Sequence, residues 1–361
     1  MKKPSKILII IQRSNGDVFL SLSLINILKA TYKKIQIDLL INDDTLSVAK
    51  LLPHINSIHT FSYFEKQRNS LKQEKSLIFS LFRKYDLSIN LTASDRSVIY
   101  ALLASKNSIS AIEKGNQKSW WKKKLLTHYY YFDSSKHILL NNLESLDILN
   151  IKHEKLQQSV SFSNADIQKT KDKLVAEGID RFIIFHPSTQ YNYKIYPKKL
   201  RDELLSFLNT LGVPIVITGG NSEIDLKIKN EIPTLANIFN FIGKTSLKEY
   251  FILSQLSLAY IGMDTLNMHI AASQNKRIFA IFGPTNLNMW SPWSNELKTA
   301  TTYNQPMQTY GSNTIFQGSL PCVACGKAGC DNKKGRSECL YIINPENIFQ
   351  TVNNWYQNVQ F

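Results

Sequence analysis

Short apolar runs rich in isoleucine alternate with longer helix-like stretches along this chain of 361 residues. In the first half, the predicted strands are Lys6–Ile11, Ile37–Ile41, Ser57–Phe61 and Asp86–Leu91. The predicted helices between and after them are Val18–Ala30, Leu71–Phe82 and Ser97–Ala104. The alternation restarts after about residue 165, and a final helix is predicted over Pro345–Val359. Strands separated by helices pair in parallel, and both faces of their sheet are covered. The sequence therefore predicts an α/β protein with two Rossmann-like domains, whose ligands bind at the carboxyl ends of the strands.

The charge balance of the chain predicts an anionic partner. The net charge is +15, from 43 Lys and Arg residues against 28 Asp and Glu residues. Nucleic acid, an acidic membrane or a phosphorylated substrate would each suit that excess. No apolar run approaches the ~18 residues of a membrane span. The run Ile7–Ile11 is too short for the core of a signal peptide, so we expect the protein to stay in the cytosol.

A carboxylate stands where the first strand turns into the first helix. Gly16-Asp17 follows the strand directly, and an apolar helical stretch begins at the next residue. Asp is a favourable residue at a helix start, so a capping role is one interpretation. A catalytic carboxylate at the mouth of a ligand site is the other.

Three turns in the second half have the composition of an anion site. His186-Pro187-Ser188-Thr189 follows a strand, and Lys194 precedes the next helix. Hydroxyls and a lysine beside helix N–H groups suit a phosphate, although a capped loop with a surface lysine would look the same. The other two turns contain Gly219, Glu223, Asp264, Thr265 and His269. Each of these also has an ordinary structural interpretation, as a Gly-Gly loop with an acidic first turn or as an Asp-Thr helix cap.

Residues 114–137 combine cations with aromatic side chains. The segment contains six lysines and one acidic residue, with Trp120 and Trp121 among the aromatic residues. Lys114, Lys118 and Lys122–Lys124 would suit phosphates or acidic sugars, and the tryptophans a membrane interface. A solvated loop with its aromatic residues folded inward is the alternative. Because no nucleic-acid-binding module is visible, we do not expect nucleic acid as the partner.

Four cysteines lie within 18 residues near the end of the chain, namely Cys322, Cys325, Cys330 and Cys339. In a reducing compartment such a cluster is more often a metal site than a disulfide framework. We therefore expect a structural zinc or iron ion, with four reduced thiols as the alternative, because the spacing is not that of paired zinc knuckles.

Taken in order, these motifs resemble the heptosyltransferase family, glycosyltransferase family 9, over nearly the whole chain. The matching elements are Gly16-Asp17, His186-Pro187 with Lys194 and Tyr196-Pro197, Gly243–Leu247, Asp264-Thr265 with His269, and Phe282–Thr285. One position departs from the family pattern, because Leu266 stands where the family usually has glycine. A leucine there would narrow the pocket or change the donor sugar.

The resemblance implies a GT-B architecture, in which two Rossmann-like domains face a central cleft. Residues 1–165 would bind the acceptor, residues 166–344 would bind the nucleotide sugar, and helix 345–361 would pack back on the first domain. The implied reaction is an inverting, metal-independent transfer of heptose from ADP-heptose to the lipopolysaccharide inner core. The enzyme would lie at the cytoplasmic face of the inner membrane, where its acceptor is an anionic, lipid-anchored saccharide.

The resemblance also implies roles for individual residues. Asp17 would be the general base. The donor would be held by Ser188, Thr189, Lys194, Gly219, Glu223, Thr245, Asp264, Thr265, Leu266 and His269, and the acceptor by Arg13, Ser14, Arg96, Lys122 and Lys123. Two other functions are compatible with the same residues. One is that of a family member that uses a hexose or N-acetylhexosamine donor, and the other is that of a non-catalytic lipopolysaccharide-binding protein.

Overall fold

The computed structural model describes residues 3–115, 117–153, 156 and 158–359. Contacts divide the chain into two compact units, Met1–Val160 and Ser161–Phe361. The observed boundary lies a few residues before the predicted one at residue 165. Each unit contains one twisted sheet of mainly parallel strands with helices packed on it.

The first unit contains a six-stranded parallel sheet in the order β3-β2-β1-β4-β5-β6. Its strands are β1 Lys6–Ile11, β2 Gln36–Asn42, β3 Ile55–Phe61, β4 Leu87–Asn90, β5 Ser108–Glu113 and β6 His128–Phe132. Its helices are α1 Asn15–Leu20, α2 Leu22–Thr31, α3 Leu46–Ala49, α4 Tyr63–Leu81, α5 Asp95–Ala104, α6 Trp120–Leu125 and α7 Ile138–Ile148. This is the Rossmann strand order, and the chain changes direction across the sheet between β1 and β4, where such folds bind ligands.

The core of the first unit explains why β1 is central. Ile7–Ile11 are all buried, as expected for a parallel strand that is covered on both faces. On one face, Leu77 and Leu81 of α4 pack against Leu8 and other residues of the sheet. Helix α4 begins eight residues before the predicted start at Leu71, and its N-cap is Ser62, whose hydroxyl accepts a hydrogen bond from the Glu65 N–H at 3.3 Å.

Two features of the first unit differ from the sequence-based expectations. The predicted helix Val18–Ala30 is divided into α1 and α2 at Ser21, whose hydroxyl donates to the Val18 carbonyl at 2.7 Å. Strands β5 and β6 were not predicted, since β5 alternates serine with apolar residues and β6 lies inside the basic aromatic segment. That segment is therefore not only a loop, because it supplies the edge strand of the sheet.

The second unit has a seven-stranded sheet in the order β12-β13-β11-β10-β7-β8-β9. The strands are β7 Ile183–His186, β8 Ile215–Ile217, β9 Ile238–Asn240, β10 Ala259–Met263, β11 Arg277–Phe282, β12 Met307–Tyr310 and β13 Asn313–Gln317. The helices are α8 Asn164–Ala176, α9 Lys198–Asn209, α10 Glu223–Glu231, α11 Leu247–Leu256, α12 Leu266–Ser273, α13 Leu287–Trp290, α14 Glu338–Tyr341 and α15 Pro345–Asn358. Six strands are parallel in the Rossmann order, and β12 adds an antiparallel edge by a hairpin that was not predicted.

The final helix packs on the second unit. In α15, Ile348 and Val352 are completely buried in the core of that unit. The ring of Phe349 stacks on Phe207 of α9 at 5.4 Å, and Trp355 meets Phe279 edge-on at 5.6 Å. These contacts lie within the second unit, and the packing of residues 345–361 on the first unit stays a prediction. Gln360 and Phe361 are outside the described residues.

None of the helices in the described ranges combines the length and the apolar character that crossing a bilayer requires.

Candidate functional site

In the second unit, the predicted donor-binding residues gather where the strand order reverses. Strands β7 and β10 are neighbours there, with Gly262 paired to His186. A Cβ atom on Gly262 would lie 2.4 Å from the His186 carbonyl oxygen, so only glycine allows this approach. The turns that follow the two strands carry Ser188-Thr189 and Asp264-Thr265 side by side at the carboxyl edge of the sheet, where α/β proteins bind ligands.

Lys194 and Asp264 form an ion pair at this edge. The Lys194 Nζ lies 3.1 Å from the Asp264 Oδ2, and both side chains are largely buried. Burial alone would lower the pKa of Lys194, but the charge of Asp264 and its hydrogen bond outweigh burial and raise that pKa. The ammonium is therefore charged at neutral pH and is available to an anion that competes with Asp264 for it.

Helix α12 begins at the same point. Thr265 is its N-cap, and the Thr265 hydroxyl accepts a hydrogen bond from the Asn267 N–H at 3.3 Å. The first N–H groups of a helix have no partner within the helix and favour an anion. Leu266, where the family pattern has glycine, is the first residue of the helix and is half-buried. Its side chain therefore occupies space at the helix N-terminus that a glycine would leave open.

Two buried histidines near this edge are neutral. Burial lowers the pKa of His186 and of His269 from 6.5 to about 4. The His186 Nδ1 lies 2.9 Å from the Thr218 hydroxyl, and the Asn267 amide nitrogen lies 3.1 Å from the His186 Nε2. The Nδ1 of His269 has no hydrogen-bond partner among the described residues, although this side chain is only 3% exposed. A buried polar atom without a partner is unusual and is consistent with a ligand-binding role.

Two predicted donor-binding hydroxyls already donate to groups within the protein. The Ser188 hydroxyl donates to the Asp225 Oδ1 at 2.5 Å, and the Thr189 hydroxyl donates to the Tyr191 carbonyl at 2.6 Å. Burial would raise the pKa of Asp225, but hydrogen bonds from Ser188 and Ser222 lower it. Ser188 therefore fixes a buried carboxylate and can only accept a further hydrogen bond from a ligand.

The other predicted donor-binding residues on this side of the sheet are Gly219, Glu223 and Thr245. A Cβ on Gly219 would lie 3.0 Å from the Asp225 Oδ1, so packing against Asp225 is sufficient to explain this glycine. Glu223 is the exposed first residue of α10, and Thr245 is half-buried in the turn before α11. Within the described part of the chain, neither side chain makes a hydrogen bond.

In the first unit, Asp17 acts as a cap and also as an ion-pair partner. It is 4% exposed and is the third residue of α1. Its Oδ2 accepts hydrogen bonds from the Ser14 N–H at 3.1 Å and the Ser14 hydroxyl at 2.7 Å. Its Oδ1 lies 2.8 Å from the Arg13 Nε, and the Arg13 guanidinium lies over the Phe132 ring. The structure thus brings the predicted residues Arg13, Ser14 and Asp17 together at the carboxyl end of β1.

Arg96 is held by aromatic rings rather than by a carboxylate. Its guanidinium lies 3.8 Å from the centre of the Phe61 ring, and its Nη2 donates to the Tyr63 hydroxyl at 2.7 Å. No ion pair involving Arg96 is present within the described ranges, and its Nε has no hydrogen-bond partner there. An unneutralised, half-buried cation just after β4 suits an anionic ligand.

The two lysines predicted to bind the acceptor, Lys122 and Lys123, differ in burial and in the groups that they contact. Lys122 is completely buried, and its Nζ contacts the Asp95 Oδ1 at 2.8 Å, the Glu113 Oε2 at 2.9 Å and the Ala93 carbonyl at 2.6 Å. Its charge is used inside the fold, so the prediction that it contacts an acceptor is corrected. Lys123 is exposed and lies 5.4 Å from the centre of the Tyr131 ring, so it stays accessible to an anion.

The basic aromatic segment, residues 114–137, combines features of both predicted arrangements: an exposed surface for anions or a membrane, and a loop with its aromatic residues folded inward. Trp120 is 61% exposed and Lys124 lies over its ring, whereas Trp121 and Tyr130 are turned inward. Lys114 is exposed, and the side chain of Lys118 is outside the described part of the structure.

The predicted metal site is not formed. In the described ranges, no group of three or more His, Cys, Asp or Glu side chains is arranged to hold a metal ion. Burial, aided by the neighbouring cysteines, raises the pKa of the Cys339 thiol to about 11. The Cys330 sulfur accepts a hydrogen bond from the Glu338 N–H at 3.3 Å. Cys322, Cys325 and Cys330 are exposed, and Cys339 is buried. The arrangement of the described residues therefore does not support the expected structural zinc or iron ion.

Several polar residues at the two carboxyl edges were not predicted from the sequence. Gln12 follows β1 and is 6% exposed, yet neither atom of its amide has a hydrogen-bond partner among the described residues. Thr285, after β11, is likewise buried with an unpartnered hydroxyl. Asp225 and Asn267 fix Ser188 and His186 in place. The signal for Gln12 was a polar residue directly after a buried strand, and the signal for Thr285 was its place in the Phe282–Thr285 turn after β11.

Comparison with known proteins agrees with this geometry. Residues 75–319 match the model of glycosyltransferase family 9 (heptosyltransferase). The chain is 29% identical over 298 residues to lipopolysaccharide heptosyltransferase 3 of Escherichia coli K12, covering 79% of this chain and 84% of that protein.

Solved structures share the fold over the whole chain. A family 9 glycosyltransferase from Veillonella parvula superposes with a TM-score of 0.73 at 16% identity, covering 98% of both chains. The Escherichia coli heptosyltransferase WaaC with ADP superposes with a TM-score of 0.71 at 13% identity, covering 97% of this chain and 99% of that one. The predicted α/β GT-B fold class with two Rossmann-like units is therefore confirmed.

Proposed function

Because the chain belongs to glycosyltransferase family 9, the heptosyltransferase family, we propose that it transfers heptose from ADP-heptose to the lipopolysaccharide inner core. The observation that carries the proposal is the Lys194–Asp264 pair at the switch point of the second unit. A charged ammonium, the N-terminus of α12 and a buried imidazole nitrogen without a partner together suit the diphosphate and sugar of a nucleotide-sugar donor.

Asp17 is the proposed general base. The acceptor hydroxyl oxygen would form a bond to the anomeric carbon while the bond from that carbon to the diphosphate breaks, and the configuration inverts. The hydroxyl proton passes to Asp17, and ADP leaves with the bonding electron pair. The burial of Asp17 and its two hydrogen bonds from Ser14 hold the carboxylate in one orientation, as base catalysis requires.

Arg13 has a second role in this proposal. Its Nε forms an ion pair with the Asp17 Oδ1 at 2.8 Å, and this oxygen accepts no hydrogen bond from any described residue, so it can still accept one from the acceptor hydroxyl. Arg13 would then bind an anionic group of the acceptor beside the base. Arg96, which has no ion-pair partner among the residues that the structure describes, would bind a second anionic group of the acceptor.

Stabilisation of the leaving group is assigned to protein groups alone. Lys194 and the N–H groups at the start of α12 would take up the charge that develops on the diphosphate. Transfer should therefore persist at full rate in excess EDTA. A requirement for added Mg²⁺ would contradict this assignment.

The acceptor is proposed to be anionic and lipid-anchored, so the enzyme would work at the cytoplasmic face of the inner membrane. Trp120, Lys114 and Lys123 are exposed and would contact the acceptor or its membrane. Lys122 has no part in this surface because its ammonium is buried.

Leu266 favours a second candidate, a transferase of the same family that uses another nucleotide sugar. Its side chain lies at the start of α12, where the donor sugar and phosphates would approach. A panel of ADP-, UDP- and GDP-sugars, measured by calorimetry and by mass spectrometry of the product, tests the choice. We expect ADP-heptose to bind most tightly and to be transferred, and Leu266→Gly to accept bulkier ADP-sugars. Preference for a UDP- or GDP-hexose would reject heptose as the donor sugar. Absence of any transfer would favour the non-catalytic lipopolysaccharide-binding protein.

A further inference from the structure

Helix α4 of the first unit presents large apolar side chains to solvent. Phe64, Leu71 and Phe79 are 58%, 87% and 81% exposed, and Phe82, directly after the helix, is 53% exposed. The opposite side of the helix is anchored, since Leu81 is completely buried in the core of the unit. The helix is therefore held in place by one side and leaves an apolar stripe on the other. Singly scattered exposed apolar residues are ordinary, whereas an aligned set of four indicates a partner.

The four exposed residues are aligned with cations on one helical stripe. At 100° per residue, Phe64, Leu71, Phe79 and Phe82 project within about 80° of one another, together with Arg68 and Lys75. At 1.5 Å per residue the stripe is about 27 Å long. We call these six side chains the α4 face. It is long, narrow and convex, because it lies on the outside of a single helix.

The charge around this face is strongly positive. Residues 63–84 contain six basic and two acidic residues. One of the acidic residues, Glu74, accepts a hydrogen bond from the Tyr100 hydroxyl at 2.5 Å and is thus engaged by the body of the unit. Arg68 lies 4.2 Å from the centre of the Phe64 ring, and Arg83 and Lys84 lie over the rings of Phe82 and Phe79. Cations therefore border the exposed aromatic rings.

We propose that the α4 face docks on an anionic lipid bilayer, with α4 lying in the plane of the headgroups. Apolar side chains that enter the headgroup region, interleaved with Lys and Arg that reach lipid phosphates, are the pattern of helices that bind at this depth. A second copy of the chain is a poorer occupant. Pairing of two α4 faces would bring Arg68 and Lys75 close to their counterparts, and like charges in contact oppose association. An anionic bilayer neutralises the same cations.

Vesicle co-sedimentation of the full chain tests the proposal. Wild-type protein should bind 100-nm phosphatidylcholine vesicles that contain phosphatidylglycerol, and should bind pure phosphatidylcholine far more weakly. Leu71→Ser/Phe79→Ser removes two exposed apolar groups, and we expect its partition coefficient to fall about 100-fold, or about tenfold for each side chain. Arg68→Gln/Lys75→Gln should lower it roughly 25-fold on anionic vesicles and hardly at all on neutral ones.

The matched control removes exposed apolar groups elsewhere. Val175 and Tyr303 lie in the second unit and are 71% and 72% exposed, so Val175→Ser/Tyr303→Ser should bind vesicles like wild type. Because all six substituted positions lie outside the core and tolerate polar residues, circular dichroism should be unchanged in every variant. The assay contains neither nucleotide sugar nor saccharide, so its result is independent of the transfer reaction proposed above.

Three results would overturn the proposal: wild-type protein that does not bind anionic vesicles, equal binding by Leu71→Ser/Phe79→Ser and the control, or binding that is the same on neutral vesicles. A fourth is self-association. If light scattering shows an oligomer that dissociates in Leu71→Ser/Phe79→Ser, the α4 face is an interface between copies of the chain.

Discussion

Replacing Lys194 by Met is expected to weaken ADP binding while leaving the fold intact. Lys194 lies on the turn before α9, and its ammonium contacts the Asp264 Oδ2 at 3.1 Å. A hydrogen bond from a charged donor to a phosphate contributes about 1.5–3 kcal/mol, so the Kd for ADP should rise roughly 10- to 150-fold. Calorimetry with ADP and with adenosine separates the contributions. Adenosine carries no phosphate, so its affinity should not change.

The ion pair offers an alternative explanation of the same loss. Removing Lys194 leaves the Asp264 carboxylate uncompensated near the diphosphate, and its repulsion alone would weaken binding. The double variant Lys194→Met/Asp264→Asn decides between them. If Lys194 contacts the diphosphate, the double variant should still bind ADP about tenfold or more weakly than Asp264→Asn alone. Equal affinity of those two variants would refute the reasoning, because Lys194 would then only neutralise Asp264.

Two further predictions concern stability. His186 and His269 have pKa values lowered by burial from 6.5 to about 4, so the unfolded state binds protons first as the pH falls. Stability should therefore be full above pH 6.5 and fall by up to about 3 kcal/mol per histidine on the way to pH 4, and chemical denaturation of His269→Asn should show a shallower loss. Lys122→Met should destabilise the protein by about 1.5–3 kcal/mol because it removes a buried ammonium from its contacts with two exposed carboxylates, whereas Lys123→Met should change stability by less than about 0.5 kcal/mol. Equal melting temperatures of these two variants would contradict the assignment of Lys122 to the interior.

The sequence predicted the parts of the fold that depend on local pattern. The buried run Lys6–Ile11 and the strand Arg277–Phe282 were located to the residue, because a parallel strand covered on both faces is continuously apolar. Strands β5 and β6 were not predicted, because serines interrupt the apolar pattern in β5 and tyrosines make up most of β6. The β12–β13 hairpin was not predicted, although its two-residue turn, Gly311-Ser312, has glycine at the position that a type II′ hairpin turn favours.

The sequence predicted where the residues of the candidate site lie, but not which groups they contact. Asp17, Lys194 and Asp264 lie at the carboxyl edges of the two sheets, as the alternation of strands and helices required. Which hydroxyls and cations remain free depends on residues far away in the chain. Ser188 is engaged by Asp225, 37 residues later, and Lys122 is engaged by an acceptor 29 residues earlier. Sequence spacing carries no information on such contacts, so the sequence did not show that the Ser188 hydroxyl and the Lys122 ammonium already have partners within the fold.

The most direct test of the proposed function is the turnover of Asp17→Asn beside a matched control. Asn preserves the shape of the side chain and can still accept the hydrogen bonds from Ser14, but it is not a base. Asp166 offers the same local structure away from both predicted sites. It is the third residue of α8, it hydrogen-bonds its N-cap Ser163, and it pairs with Lys248 at 2.6 Å. Both variants should therefore lose similar, small amounts of stability.

The measurement is kcat for sugar transfer at saturating donor, with the Kd for ADP and the melting temperature recorded for each variant. If Asp17 is the base, kcat of Asp17→Asn should fall about 100-fold or more while ADP affinity stays near that of the wild type. Asp166→Asn should turn over at the wild-type rate. Turnover of Asp17→Asn within a few-fold of Asp166→Asn would show that Asp17 is only a helix cap, and the reaction would need another base.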